Sequence, residues 1–398
     1  MKYDCTYNCN ILNYYLDIFQ RNLNKKEKYI IQNNNNTFLK KIYNTLNTTS
    51  NKITIVKQKS IIKILNIENS DYLPSYIRSH INNKRNVIRI KYKLNFYNKN
   101  VFINYYLVDN NKSEEELHND INFLAQFVYL IYNITDYKHN NNIIDIYLTN
   151  FEKELGSNNT IDVQNINSGV CYFNDINRKI LIFRSEEYIK VFIHEFLHSC
   201  HIDKYLHDNT NTNIYEKFNF DYKKTKINLS ETYTEFWCNI IYISIFSYNY
   251  LENSNKNITI NNYINIFDKF MEKQIYFSVL QSVKILNIHN IKYLYTISNI
   301  NHNYSETTHA LSYYYFKSLL LFKYKNVMNM CEENIIANER TKENIEKHLI
   351  KIRTNKKLIK LFEIFENDLI KLNKLNKSKK NDRISFLLKN LYMCYIEI

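Results

Sequence analysis

The stretch VFIHEFLHSC, residues 191–200, carries His194, Glu195 and His198. On a helix, side chains four apart lie one above the other. Two imidazoles in that relation can grip one Zn²⁺ at about 2.0–2.1 Å. Glu195, rotated by about a third of a turn, reaches a water beside the metal rather than the metal itself. The chemistry would be hydrolysis by a zinc-activated water with a carboxylate base. A single histidine in such a helix would more simply be a satisfied core residue. The pair with its glutamate needs a helix to be more than coincidence, and the flanking residues supply one. Ser185 reads as an N-cap, with Glu186 and Glu187 in the first turn. Ile189, Phe192, Ile193, Phe196 and Leu197 form one apolar stripe, so the histidines project along a different edge.

A catalytic zinc needs three protein ligands and an open position. The metzincin continuation would place a glycine at 201 and a histidine at 204, but the chain has His201 and Lys204. Downstream, INLSETYTEFWCNIIYI (227–243) reads as a helix capped by Ser230, with Glu231 and Glu235 four apart on one face. One of these carboxylates suits the metal and the other the free N–H of a ligand histidine. Either could take either role.

HExxH followed by an ExxxE pair on a later helix resembles the gluzincin zinc metallopeptidases. The run INSGVCYFND…KILIFRSEEYIKVFIHEFLHS with ETYTEFW is also similar to the metalloproteases ascribed to large nucleocytoplasmic DNA viruses. The gluzincin resemblance covers roughly residues 100–245. It implies His194, His198 and Glu231 as ligands, Glu195 as base and Glu235 as support. It also implies an oxyanion donor from a downstream helix. SETTHALSYYYFKSLLLF (305–322) offers His309, with Ser305 as its cap and Tyr313 on the same face. Tyr313 and Tyr233 are substitutes for that role. His201 is a candidate support for the ligands, or only the end of its helix.

These residues need a scaffold. Residues 11–50 read as helical, broken at the NNNN of 33–36. VIRIKYKLNF (87–96) alternates apolar and polar and pairs through NKN (98–100) with VFINYYLV (101–108) as a hairpin. KSEEELHNDINFLAQFVYLIYNI (112–134) is a helix opening at Ser113, and IIDIYLT (143–149) a strand. GVCYF (169–173) and KILIFR (179–184) are short strands joined by NDINR. One of them should be the sheet edge that receives an extended substrate. After residue 230 the pattern is almost wholly helical. The order implies an α+β fold, and the gluzincin resemblance implies a zincin-like small sheet packed on the HExxH helix. The expected division is a mixed, mainly helical region at 1–85, a catalytic unit at 86–330 and a helical basic tail at 331–398.

Composition bounds the alternatives. Only two glycines and one proline occur in 398 residues, so turns must be built from Asn, Asp and Ser. The net charge of +14 is spread among Asn and Ile, as lysine codons of an AT-rich genome would scatter it. Its densest run, 371–383, reads as a solvated linker. Nucleic-acid binding is therefore the weaker alternative, and a catalytically inactive zincin-fold interaction protein the stronger one. Seven cysteines without CxxC spacing, no secretory signal and no long apolar run imply an intracellular, cytoplasmic protein without a membrane span. The gluzincin resemblance implies one zinc per chain and a polypeptide substrate as the partners.

Overall fold

The computed structural model describes residues 7–23, 37–49, 52–64, 67, 69–97, 99–109, 112–135, 141–156, 160–172, 178–207, 212–254, 258–298, 300, 302–331, 334–379 and 381–397. The asparagine break at 33–36, Cys5 and most of the turn at 174–178 lie outside them.

The first half alternates strands with helices. In chain order it runs α1 (Tyr7–Asn22), α2 (Thr37–Leu46), β1 (Thr54–Ile62), α3 (Ser75–Asn82), β2 (Val87–Phe96) and β3 (Lys99–Leu107). There follow α4 (Glu114–Ile134), β4 (Asn141–Tyr147), α5 (Val163–Ile166), β5 (Gly169–Tyr172), β6 (Arg178–Ile182) and α6 (Tyr188–Ser199). The rest is helical: α7 (Thr212–Lys217), α8 (Leu229–Asn253), α9 (Ile260–Asn287) and α10 (Tyr293–Ile297). A π-helical stretch, Leu311–Phe316, then runs into α11 (Lys317–Phe322), α12 (Tyr324–Met330), α13 (Glu339–Ile352), α14 (Lys356–Lys379) and α15 (Asp382–Lys389). The fold is α+β, with a small sheet followed by a mainly helical half.

The six strands are ordered β1-β2-β3-β4-β6-β5. β1, β2 and β3 form an antiparallel meander, β3–β4 and β4–β6 are parallel, and β5 returns antiparallel to β6. β6 is thus internal, and β5 is the edge next to the HExxH helix. β1 arises in the region expected to be mainly helical and pairs with β2 from Thr54↔Asn95 to Ile62↔Val87. Its predominantly exposed, lysine-bearing face hid the strand from an apolar-alternation reading.

The two-residue period decides which face meets which core. Ile103 and Tyr105 on β3, Ile144 and Ile146 on β4, and Ile180 and Ile182 on β6 enter the main core with α4, α6 and α8. Tyr106, Tyr147 and Leu181 enter a smaller core under α3. α4 opens with a capping box: Ser113 accepts from the Glu116 N–H, and Glu116 accepts from the Ser113 N–H.

Three expected caps are relocated. α6 begins after Glu187, not Ser185, and Glu187 sits in the left-handed region at φ 49°. α8 is capped by Asn228, whose side chain accepts from the Ser230 N–H. Ahead of the π-helical stretch, Glu306 rather than Ser305 accepts the Leu311 N–H. Glu187 enters α6 with no side-chain cap hydrogen bond, while Ser230 is drawn away from the cap position by Asp203, to which it gives its hydroxyl. The basic run at 371–383 is mostly the exposed end of α14 rather than a linker. Beyond α15, residues 391–396 carry no regular structure yet are buried throughout. Among the described residues no helix is long and apolar enough to cross a membrane.

Candidate metal centre

α6 is buried on every side, so its polar edge must find partners within the protein. Phe192 and Phe196 stack at 5.7 Å and meet the ring of Phe127 edge-on. This fixes the helix against α4 and turns His194 and His198 toward α8.

The two Nε2 atoms lie 3.1 Å apart. Glu231, in the first turn of α8, brings its Oε2 to 3.3 Å from His194 Nε2 and 3.1 Å from His198 Nε2. The ligand-type atoms of these three residues all fall within 4.8 Å of one another. The outward nitrogens are also held. His194 Nδ1 is 3.0 Å from Glu235 Oε2, and His198 Nδ1 is 2.7 Å from Asp203 Oδ2. Glu231 and Glu235 are thereby separated in role, one on the inner nitrogens and one on an outer nitrogen.

Asp203 is a residue the sequence did not single out. It follows a helix end at which His201 takes the left-handed conformation, φ 53°, and gives its N–H to the His198 carbonyl. The turn brings the chain back so that Asp203 lies under the His198 ring. Ser230 donates its hydroxyl to the same carboxylate, and His207 approaches it at 3.4 Å.

The arrangement demands a positive charge. In neutral rings that give each Nδ1–H to a carboxylate, both Nε2 atoms present lone pairs to each other and to Glu231. Three acceptors converge with no hydrogen between them. In protons alone, the demand appears as raised histidine pKa values. Burial opposes protonation of His194, but Glu231 and Glu235 outweigh it. Burial also opposes it for His198, which Asp203 and Glu231 raise well above the usual range. Glu231 would be pushed up by burial but is held well below the carboxylate range by His198 and His194. Two imidazoles and one carboxylate with fixed outward nitrogens fit a divalent cation of borderline softness.

Glu195 stands beside this cluster, and burial raises its pKa against the pull of His194 and His198. It packs on Gly169 at the start of β5. A Cβ there would lie 2.9 Å from Glu195 Cγ, 3.0 Å from its Oε1 and 2.8 Å from Val191 Cγ1. One of the chain's two glycines therefore lets the edge strand approach the carboxylate.

A cleft of about 200 Å³ opens over the cluster, bounded by β5 on one side and by His309 and Tyr313 on another. Tyr313 lies in the π-helical stretch, its ring 5.8 Å from that of His194. Burial, with Glu231, Glu195 and Glu235 nearby, keeps its phenol protonated. His309 Nδ1 is 2.7 Å from the Lys226 carbonyl, so in the neutral ring its Nε2 is an acceptor. Tyr233 is not brought to the cleft, since its hydroxyl donates to the Ile335 carbonyl. Glu235, supporting His194, is itself held by Lys190, Lys317 and Asn239.

Over 235 residues, 58% of its length, the chain is 25% identical to an uncharacterized protein of Acanthamoeba polyphaga mimivirus, of which the match covers 55%. The chain thus spans about half the length of the curated relative it matches. No family profile and no solved structure matches the chain.

Proposed function

We propose that the chain is a zinc-dependent endopeptidase built on a zincin-like unit, with His194, His198 and Glu231 as metal ligands and Glu195 as general base. One observation carries the reading: two imidazole Nε2 atoms and a carboxylate oxygen converge, each outward nitrogen is held by a carboxylate, and a further carboxylate stands alongside. Zinc bound there supplies Lewis-acid activation of water and polarises the scissile carbonyl.

The chain's own groups do the rest. Glu195 takes the proton as water attacks and passes it to the departing amine, work suited to a carboxyl raised above its usual range. Tyr313 donates to the oxyanion, and His309 does so only as the imidazolium. The edge of β5 accepts the substrate as an added strand, its side chains alternating into and out of the cleft. The mimivirus relative supports a viral origin and says nothing of the reaction.

The test is metal content by mass spectrometry and cleavage of a peptide library for the wild type, His198→Ala and Glu195→Gln. About one zinc per chain with cleavage is expected for the wild type. His198→Ala should lose both, and Glu195→Gln should keep the metal and lose cleavage. Zinc retained without cleavage of any peptide would favour the inactive interaction protein. A folded wild type that takes up no zinc would refute the hydrolase reading.

A further inference from the structure

The segment Leu391–Ile396 lies outside helix and strand, with the chain bending at Met393 and Tyr395; it is at most 7% exposed at any residue and is held largely by side chains from other elements. Glu187, in its left-handed conformation at the head of α6, accepts the N–H groups of Met393 and Cys394 at 2.9 Å. Gln274 on α9 donates to the Met393 carbonyl at 3.1 Å and accepts from the Tyr395 N–H at 3.2 Å. Tyr314 donates to the Leu391 carbonyl. Leu391 gives its N–H to the Lys153 carbonyl at 3.0 Å, and beyond it these side chains satisfy the backbone deep in the protein, next to the head of the HExxH helix.

Met393 is the knot. Lys317 Nζ lies 2.9 Å from its carbonyl and 3.3 Å from Glu235 Oε1. Lys190 Nζ lies 3.0 Å from its thioether sulfur and pairs with Glu235 Oε2. Both lysine side chains are 1% exposed and that of Glu235 is 0% exposed. Ammonium groups so deeply buried stay charged only with close partners, and here they share the same two residues. Glu235 in turn holds His194 Nδ1.

We propose that Lys317 and the segment Leu391–Ile396 are positioning elements of the metal centre: docking of Met393 against Lys317 and Lys190 fixes Glu235, and Glu235 fixes the His194 ring for metal. The inference rests on the metal-site reading above but not on any peptidase activity. It assigns the last described stretch of the chain a role at a site some two hundred positions earlier.

The test uses the full-length chain and zinc alone. Zinc dissociation constants are measured by competition with a chromophoric chelator for the wild type, Lys317→Met, Gln274→Leu, Glu235→Gln and the doubles with Glu235→Gln. Emission of the single tryptophan, Trp237, two positions from Glu235, monitors the fold. Glu235→Gln should weaken zinc by about ten- to a hundredfold, as loss of an outer-shell partner does. Lys317→Met and Gln274→Leu should each weaken it by about tenfold, with little further loss in the doubles, because all three act through one carboxylate. Singles within twofold of the wild type, or doubles that are additive, would overturn the proposal while leaving the metal site standing. A wild type that binds no zinc would overturn both. If Lys317→Met does not fold, the Gln274→Leu and Glu235→Gln cycle decides on the same terms.

Discussion

His198 Nδ1 and Asp203 Oδ2 lie 2.7 Å apart, five positions along the chain and on opposite sides of a helix end. The contact holds the ring so that Nε2 faces His194 and Glu231, and Ser230 steadies the carboxylate from α8. Asp203→Ala should weaken zinc binding by about ten- to a hundredfold, read by chelator competition. An unchanged affinity would mean that His198 is oriented by packing alone.

Gly169 is a test of how closely the base is placed. In Gly169→Ala the new methyl collides with Glu195 Cγ at 2.9 Å and Val191 Cγ1 at 2.8 Å. Stability should fall by about 1–3 kcal/mol, as overpacking does. Under the proposed mechanism kcat/KM should fall at least about tenfold as Glu195 shifts, with zinc content unchanged. Wild-type turnover would show that the base tolerates displacement.

Tyr313 and His309 can be separated by substitution. Tyr313→Phe removes the protonated phenol and should lower kcat by about 10²–10³ with little effect on KM. His309→Gln should cost less at neutral pH, because its Nδ1 is committed to the Lys226 carbonyl. A larger loss in His309→Gln would reverse the assignment of oxyanion donor.

Glu306 ties the segment ahead of α8 to the His309–Tyr313 segment, accepting the N–H groups of Lys226 and Leu311 and the Tyr304 hydroxyl. Burial lifts its pKa to about 7 despite the opposing backbone N–H groups of Leu311 and Lys226. In the unfolded chain it titrates near about 4.3. The folded state therefore binds the extra proton between these values. The stabilisation is full below about pH 4.3 and is lost as pH rises through about 7, on the order of 4 kcal/mol in all. Urea unfolding from pH 4.5 to 8 should show this decline in the wild type and a flatter profile in Glu306→Gln. An identical slope in both would place the titration elsewhere.

Much of the site is legible along single elements. The four-residue spacing of His194 and His198 becomes adjacency through helix geometry alone, and the same period sets Glu231 and Glu235 on one side of α8. The alternation in 87–96 becomes β2 because the two-residue period assigns Ile90, Tyr92 and Leu94 to one core. β1 was not legible, since a half-exposed edge strand with lysines carries no apolar alternation.

Which side chains share an edge of a helix or a face of a strand can be read from the residues alone, because backbone periodicity is local and indifferent to context. Which carboxylate meets which nitrogen is set by how the elements pack. Asp203 reaches His198 through the left-handed turn at His201, Gly169 reaches Glu195 through the position of β5 at the sheet edge, and Met393 reaches Lys317 through a buried segment outside helix and strand. The cap of α8 moved for a related reason: Ser230 gives its hydroxyl to Asp203, delivered by packing from 27 positions away, and Asn228 accepts the Ser230 N–H instead.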